Sequence, residues 1–503
     1  MIMLTRGHLA GLILGTALAG ANALAQEGVA ALWELNCLSC HGNRGQGGGA
    51  GTRTLLTDDL YDQKHDRPFF NIIRDGDKDS GMPGFRNSLN DAQVWGLVVH
   101  IRELQLRNLR KRGGPLVAPE VKDGVANARD TSFKIVPVVE SGLDVPWAVD
   151  FLPTAKAGEQ APMLITERPG GVRLFQDGKL GQSLTGLPAV RNQGQGGMMD
   201  VAVHPDYATN GWIYLAFSHG RNSVEDAEGM RQGMTKVVRG KIKGNAWVSQ
   251  ETIFEARKEH YLATGLHFGS RIVFTEPQSG GKRYIYFSIG ERGREQLAQD
   301  LSRPNGKVFR VWEDGSVPTD NPFVGQDIGG AKAYDEVWSY GHRNPQGLTM
   351  GLDGTLWDTE HGPRGGDEVN VIEKGRNYGW PLVAHSINYS GTPFKTPWLM
   401  DESAATEANI KMPAFRWLPS IGACGLDVIR GPMFAAWKGD LIAGGLAGQN
   451  VDRIRMKDGE MVEREELVFD RGRVRDVVCG PEGAIYVVLN DPDSVIKLVE
   501  TTK

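Results

Sequence analysis

Residues 344–362 read NPQGLTMGLDGTLWDTEHG, which is an apolar run, an Asp-Gly turn and a second apolar run. Two such runs joined by Asp-Gly are a strong signal for a β-hairpin. The same order of strand, turn and strand recurs in residues 146–175, 197–218, 270–290, 424–445 and 474–489. These six copies predict an all-β, six-bladed β-propeller, because radial repetition hides the sheet edges without a strict sequence period. An array of β-sandwiches is the alternative on the pattern alone.

Further Asp-Gly pairs predict hairpin turns in the same region, at Asp177-Gly178, Asp314-Gly315 and Asp458-Gly459. The whole chain has 61 acidic and 56 basic residues, which gives a formal charge of −5. The sequence shows neither a basic face nor a nucleic-acid-binding motif, so we expect no nucleic-acid partner.

The N-terminal region carries a CxxCH motif, formed by Cys37, Cys40 and His41. This spacing is the attachment site of a c-type haem, in which both thiols bond to the haem and the histidine becomes an iron ligand. A CxxC pair alone would also fit a thiol redox motif or half of a zinc site. A complete zinc site would need more thiols, and the remaining cysteines, Cys424 and Cys479, lie far downstream.

Met82 is the candidate for the sixth ligand of the haem iron. Between the signal peptide and Met163 it is the only methionine, and it stands in a Gly-Met-Pro-Gly loop. A thioether opposite histidine raises the haem potential, which suits an electron acceptor. His65 and His100 are the competitors, and His100 is expected on the solvated face of an amphipathic helix over residues 91–104.

The first residues have the pattern of a secretory signal peptide. Arg6 and His8 precede an apolar run over residues 9–18, and an A-x-A site at residues 23–25 predicts cleavage before Gln26. The apolar run is too short to span a membrane, and no later run reaches about 18 residues. We therefore expect a periplasmic protein with no transmembrane segment in its mature form, which agrees with c-type haem attachment outside the cytoplasm.

The length of 503 residues predicts two domains, because the chain is too long for a single ordinary hydrophobic core. Residues 1–25 are the predicted signal peptide and residues 26–106 a small all-α domain of the cytochrome c type, which begins with a short helix over residues 29–35. Residues 107–130 are basic and rich in Gly and Pro, so they are predicted to form a linker. Residues 131–503 are the predicted propeller.

Several motifs of the propeller region are too specific to be explained by structure alone. They are residues 194–197 (GQGG), 267–271 (HFGSR), 289–293 (IGERG), 340–347 (YGHRNPQG), 360–368 (EHGPRGGDE) and 377–381 (NYGWP). Together they resemble the soluble pyrroloquinoline-quinone (PQQ) glucose and aldose sugar dehydrogenases, a family that also contains sorbosone dehydrogenases. The resemblance runs from about Val136 to the C-terminus, and the haem domain is an addition that most soluble members lack.

The resemblance implies roles for six residues. His267 matches the general base that takes the proton from the anomeric hydroxyl of the sugar, a task suited to imidazole. Arg343 and Asn344 match residues that hold the quinone oxygens, where negative charge develops. Further matches to cofactor contacts are Gln195 and the two arginines expected to bind the PQQ carboxylates, Arg473 and Arg475.

The resemblance also implies two calcium sites. The carbonyl groups of Gly362 and Pro363 match those that bind the calcium ion at the quinone, where the ion acts as a Lewis acid. Glu368 and Tyr378 match a structural calcium site. Relatives carry a lysine near Ala447 that contacts the cofactor, and this chain lacks it.

The leading hypothesis is a periplasmic quinohaemoprotein that oxidises an aldose. Hydride passes to PQQ, single electrons pass to the covalent haem c, and a respiratory carrier accepts them. A second hypothesis is a sorbosone-type dehydrogenase, which differs only in its substrate. An alternative from another class is a propeller without a cofactor, which would dock the haem domain to a partner. A calcium-dependent hydrolase or lactonase is the weakest hypothesis. Cys424 and Cys479 form either a disulfide or two buried thiols.

Overall fold

The computed structural model describes residues 28–49, 52–114, 116–153, 160–225 and 231–501. The predicted signal peptide, residues 1–25, lies outside this part of the chain. The described residues divide into two compact units. The first comprises those up to Leu106 together with Ser386–Lys395, and the second those from Arg107 to His385 and from Thr396 onward.

The first unit is helical. Its helices are α1 (Val29–Asn36), α2 (Leu38–His41), α3 (Asp66–Asp75) and α4 (Asp91–Arg112), of which the last continues beyond Leu106. Helix α4 buries the row Val94, Leu97, Val98 and Ile101, whose spacing places all four side chains on one helix face. Two short 3₁₀ turns precede α3, at Asp58–Tyr61 and Gln63–His65.

The helix predicted over residues 91–104 is eight residues longer in the structure. Its extension, together with strands β1 (Val121–Lys122) and β2 (Val125–Asn127), occupies much of the segment predicted as a linker, so that segment is not structureless. The extension follows from the sequence, because residues 107–112 contain no Gly or Pro and end in three basic residues, which favour a helix C-terminus.

A late segment of the chain belongs to the first unit. Within Ser386–Lys395, the Gly391 carbonyl accepts a hydrogen bond from the Val29 backbone N–H at 2.8 Å. Ile387 is buried, and its side chain lies close to Gly96 on α4. A contribution from so far along the chain leaves no local sequence signal.

The second unit contains the propeller. Strand β3 (Ser132–Val139) precedes the first blade. Blade 1 contains β4 (Pro146–Phe151), β5 (Met163–Glu167), β6 (Gly171–Gln176) and β7 (Lys179–Ser183). Blade 2 contains β8 (Met198–Val203), β9 (Ile213–Glu225), β10 (Arg231–Lys243) and β11 (Ala246–Glu255). Blade 3 contains β12 (Ile272–Phe274), β13 (Tyr284–Ile289), β14 (Lys307–Trp312) and, after the small hairpin β15 (Asp327–Ile328) and β16 (Ala331–Lys332), β17 (Val337–Tyr340).

The remaining blades follow the same plan. Blade 4 contains β18 (Pro345–Met350), β19 (Leu356–Glu360), β20 (Asp367–Val371) and β21 (Phe415–Trp417). Blade 5 contains β22 (Ala423–Val428), β23 (Leu441–Gly445), β24 (Asn450–Lys457) and β25 (Glu460–Phe469). Blade 6 contains β26 (Arg473–Cys479), β27 (Ile485–Asn490) and β28 (Ser494–Glu500). Short helices lie between strands, at α5 (Tyr207–Asn210), α6 (Glu402–Glu407) and the 3₁₀ turns Lys258–His260, Glu295–Gln299 and Ala435–Trp437.

The ring closes through its first and last strands. Strand β28 pairs with β3, so blade 6 combines the two ends of this unit, and β2 and β1 extend its sheet outward. The first strand of each blade contacts the first strand of the next, and β26 contacts β4. The six-bladed β-propeller is confirmed, and the sandwich array is wrong.

Aspartate side chains join neighbouring blades at five of the six junctions. Their carboxylates accept backbone N–H groups of the next first strand, in the pairs Asp150–Val203 at 2.6 Å, Asp200–Ile272 at 2.7 Å, Asp367–Ala423 at 2.8 Å, Asp427–Cys479 at 2.8 Å and Asp476–Val149 at 3.2 Å. Burial raises the pKa of Asp150 and of Asp476 to about 7. These bonds satisfy N–H groups that face a neighbouring blade rather than a strand of their own sheet.

Three of the four Asp-Gly pairs connect paired strands, as predicted, between β6 and β7, β18 and β19, and β24 and β25. Asp314-Gly315 does not. It makes a turn after β14, but β14 pairs with the later strand β17. Pro318 and Pro322 follow this turn and prevent the chain from returning directly as a strand.

Candidate functional site

His267 is the centre of the candidate site. Its Nδ1 lies 2.5 Å from Glu291 Oε1, and its backbone N–H donates to Gln195 Oε1 at 2.8 Å. The ring is buried, and the backbone has φ 51°, a left-handed conformation that is rare for a residue with a side chain. Strain of this kind concentrates at functional sites.

The surroundings of His267 keep its imidazole neutral. Burial lowers its pKa, the positive charge of Arg343 lowers it further, and the hydrogen bond to Glu291 opposes both. With the Nδ1–H donated to the Glu291 carboxylate, the Nε2 lone pair is free to accept a proton. The arrangement is that of a general base held by a buried acid.

Arg343 and Asn344 lie beside this pair. The Glu291 backbone N–H donates to the Arg343 carbonyl at 2.8 Å, and Asn344 Oδ1 accepts the Gly269 N–H at 3.1 Å. The Arg343 guanidinium donates to the carbonyl groups of His361 and Gly362, each at 3.0 Å. Its buried Nε has no hydrogen-bond partner among the residues that the structure describes, so it is a candidate donor to a ligand.

A cluster of arginines forms another part of the site. Burial lowers the pKa of Arg475, although the Cys424 thiol opposes this, and repulsion from Arg473 and Arg168 lowers it further. Arg475 Nε donates to Asn490 Oδ1 at 3.2 Å, which is a neutral acceptor. Like charges held together without a carboxylate partner favour binding of an anion, and the tricarboxylate PQQ meets that requirement.

Three of the four predicted calcium ligands, Gly362, Glu368 and Tyr378, have hydrogen-bond partners within the protein. The Gly362 carbonyl, predicted to bind calcium with Pro363, accepts Arg343 Nη1. Glu368 lies opposite Glu360 in the β19–β20 pair, and burial raises its pKa to about 8. The Tyr378 hydroxyl donates to the Val371 carbonyl at 2.5 Å and accepts the Glu373 N–H at 2.8 Å. Carbonyl and carboxylate oxygens are ligands that calcium accepts, so the donor types fit.

The CxxCH residues lie on α2 and its preceding turn in the first unit. Cys37 and Cys40 are both free thiols, and burial raises the pKa of Cys37 to about 12. His41 Nδ1 is buried and has no hydrogen-bond partner. Two free thiols and an unpartnered imidazole nitrogen fit covalent haem attachment.

The structure gives less information on the sixth ligand. The Met82 backbone pairs with Asp77 in a short antiparallel bridge, so ligation by Met82 stays a prediction. His100 is not on a fully solvated face, as the helix pattern predicted, because it is half-buried with its ring 5.3 Å from that of Trp33. The ring of Trp33, on helix α1, packs against the ring of His100.

The two other cysteines are free thiols rather than a disulfide. Cys424 Sγ donates to the Arg475 carbonyl at 2.9 Å, and Cys479 Sγ donates to the Arg430 carbonyl at 3.0 Å. Each is buried on a separate first strand, and the disulfide alternative is wrong.

Comparison with known proteins agrees with this geometry. Residues 143–498 match the profile of the family described as Glucose / Sorbosone dehydrogenase. The chain belongs to this family. Residues 24–101 match the family described as cytochrome c oxidase, cbb3-type, subunit III, so a cytochrome c domain precedes the glucose/sorbosone dehydrogenase domain. Both parts of the predicted resemblance are confirmed.

Relatives within the glucose/sorbosone dehydrogenase family match most of the propeller. The chain is 39% identical over 361 residues to the aldose sugar dehydrogenase YliI of Escherichia coli, covering 71% of this chain and 90% of that protein. It is 30% identical over 302 residues to the quinoprotein glucose dehydrogenase B of Acinetobacter calcoaceticus, covering 54% and 57%. The crystal structure of the apo-form E. coli soluble aldose sugar dehydrogenase superposes with a TM-score of 0.64 at 35% identity, covering 73% of this chain and all of that one.

Two residues of the site were missed by sequence reasoning. Glu291 lies in the IGERG motif, which was singled out, but its role as the partner of His267 becomes visible only when blade 3 brings the two together. Arg168 follows β5 and carries no motif. Its Nη1 donates to the Gly194 carbonyl at 2.8 Å, which places it beside the GQGG loop.

Proposed function

We propose that this protein is a periplasmic quinohaemoprotein that oxidises aldose sugars with PQQ and calcium and delivers the electrons to its own haem c. The observation that carries the proposal is the buried His267–Glu291 pair beside Arg343, together with the arginine cluster around Arg475. Membership of the glucose/sorbosone dehydrogenase family and the printed functions of the relatives support it.

The residues present fit the proposed cofactors. Arg343 and Asn344 would hold the quinone oxygens, while Arg473 and Arg475 would bind the carboxylates. When bound, PQQ supplies a hydride acceptor, calcium polarises it, and the haem carries single electrons. The unpartnered Arg343 Nε and the low pKa of Arg475 are the features of this chain that favour an anionic ligand.

The protein's own contribution to the reaction is to accept a proton. As C1 of the sugar loses hydride, His267 Nε2 takes the proton of the C1 hydroxyl, so the sugar loses two electrons and two protons in all. Glu291 stabilises the imidazolium that forms, because its carboxylate accepts the Nδ1–H. The Gln195 contact to the His267 backbone fixes the residue in its left-handed conformation.

The fusion to a cytochrome domain supports the haem as the next electron acceptor. A tethered acceptor has a higher effective concentration than a diffusing mediator. Cys37 and Cys40 would attach the haem and His41 would bind its iron, with Met82 as the proposed opposite ligand. A respiratory carrier is the proposed final acceptor, and export to the periplasm is proposed from the N-terminal signal pattern.

Haem reduction tests the proposal. Full-length protein, matured in a host that attaches c-type haem, is loaded with PQQ and calcium and mixed with aldoses or with sorbosone. The absorbance spectrum should become that of reduced haem after an aldose is added, and it should stay unchanged after buffer is added. The variant His267→Gln should lose this response while dithionite still reduces its haem. If neither aldoses nor sorbosone reduce the haem of the loaded protein, the proposal is wrong; reduction by sorbosone alone would correct the substrate.

A further inference from the structure

Three buried side chains converge beneath the loop that carries Arg343. His342 Nδ1 lies 2.8 Å from Glu360 Oε2 and 3.7 Å from Asp358 Oδ2, and one ligand atom from each residue lies within 4.8 Å of the others. Asp358 and Glu360 are two residues apart on β19, which places both carboxylates on one face of the strand. Asp358 and His342 have no solvent exposure.

The Asp358 carboxylate is buried and poorly satisfied. Neither of its oxygens has a hydrogen bond of good geometry among the described residues, although the Asn370 side chain lies close enough to interact with it. Asn370, directly opposite on β20, donates from Nδ2 to Glu368 Oε2 at 3.2 Å, and its own buried Oδ1 is also unpartnered. A buried charge without partners is costly, and two orphaned oxygen-bearing groups on facing strands point to a cation between them.

The separations fit a small divalent ion. Zinc lies about 2.0–2.2 Å from nitrogen and oxygen ligands, so neighbouring ligand atoms of a tetrahedral site are about 3.3–3.6 Å apart. The observed 2.8 and 3.7 Å bracket this spacing. An imidazole with two carboxylates suits zinc or manganese, whereas calcium prefers a shell made entirely of oxygens.

The surroundings of His342 support a ligand role. Ser339 Oγ lies 2.8 Å from Nε2, so with a proton on Nε2 the Nδ1 lone pair faces the two carboxylates. The other oxygen of Glu360 accepts the Arg343 backbone N–H at 2.8 Å. An ion here would therefore fix the loop on which Arg343 and Asn344 are held.

We propose that His342, Asp358 and Glu360, with Asn370 Oδ1 as a further oxygen, bind one divalent transition-metal ion of the zinc and manganese class. The predicted calcium ligands, which are the carbonyls of Gly362 and Pro363 and the residues Glu368 and Tyr378, are a different set. The ion is structural: it balances the two carboxylates and positions the Arg343 loop.

Metal content tests the proposal on the full-length protein. The protein is treated with a chelator, dialysed against Mn²⁺ or Zn²⁺ with excess Ca²⁺ present to occupy the oxygen-only sites, and assayed by mass spectrometry of the metals. Wild type should retain one equivalent of Mn²⁺ or Zn²⁺. Asp358→Asn should bind it at least tenfold more weakly, and Asp353→Asn, an exposed carboxylate of the preceding turn, should match wild type.

A spectroscopic measurement on wild type does not depend on any variant folding. Electron spin echo of the Mn²⁺-loaded protein should show coupling to an imidazole nitrogen, and that coupling should persist in Asp353→Asn. Each of three results would overturn the proposal. They are that wild type retains neither Mn²⁺ nor Zn²⁺, that a folded Asp358→Asn variant retains as much metal as wild type, or that bound Mn²⁺ shows no coupling to nitrogen.

Discussion

Replacing Glu291 by Gln isolates the charge behind His267. Glutamine keeps the shape of the side chain and an oxygen that can accept the His267 Nδ1–H, but it loses the negative charge. A hydrogen bond to a charged group contributes about 1.5–3 kcal/mol, against about 1 kcal/mol for a neutral one, so the loss is about 0.5–2 kcal/mol. Since 1.36 kcal/mol is a factor of ten in rate, Glu291→Gln should lower kcat by about 2- to 30-fold.

The same substitution should change the pH profile in a defined direction. Activity requires neutral His267, so the rate falls as the pH drops through its pKa, which is already below the ordinary value. Glu291 raises this pKa, and its loss lowers the pKa further. The acid limb of kcat/KM should therefore move to lower pH in Glu291→Gln, while kcat at neutral pH falls.

Sugar-dependent haem reduction in the loaded protein, measured across the acid range, gives both quantities. Glu276→Gln, which removes an exposed carboxylate of the same blade, is the control and should match wild type. A folded Glu291→Gln variant with the wild-type kcat and an unmoved acid limb would refute the assignment of Glu291 as the partner of the base.

Three further substitutions test other parts of the structure. Met82→Ala should lower the haem reduction potential and change its axial-ligand spectrum, measured by redox titration. Gly290→Ala would place a Cβ 2.5 Å from the His267 carbonyl, and the resulting displacement should lower kcat about 100-fold with little change in haem content. Asp476→Ala leaves the Val149 N–H without its acceptor and removes a partner of Arg271, which should cost about 3–5 kcal/mol in urea unfolding.

The repeat was predictable from the sequence, but the hydrogen bonds by which its aspartates join neighbouring blades were not. Four of the quoted copies contain an aspartate within their first strand, at Asp150, Asp200, Asp427 and Asp476. Within one copy such an aspartate is an ordinary polar residue in a strand. Its carboxylate joins two blades by accepting a backbone N–H of the first strand in the next blade. The alternation of residues within one strand does not show which strand lies beside it.

The candidate site was predictable where its residues belong to motifs and not where they come together from different blades. His267, Arg343 and Asn344 were located from their motifs, and the structure brings all three together. Glu291 and Arg168 act through contacts with distant segments, so spacing along the chain carried no signal for their partners. The Ser386–Lys395 segment shows the same limit, because its packing partners, such as Val29 and Gly96, belong to helices near the start of the chain.

Arg271 and Arg475 both lie near the central strands of the propeller, but their charges are balanced differently. Arg271 is buried, but it donates to Asp200 and lies 2.9 Å from Asp476, so its charge is balanced and it supports the joints between blades. Arg475, on the same strand as Asp476, is surrounded by Arg473 and Arg168 and has a neutral acceptor at its Nε. A fold that supplies carboxylates to Arg271 could have supplied one to Arg475. A partly buried guanidinium with a neutral acceptor and two like charges around it favours an anionic ligand, which supports the proposed binding of the PQQ carboxylates at Arg475.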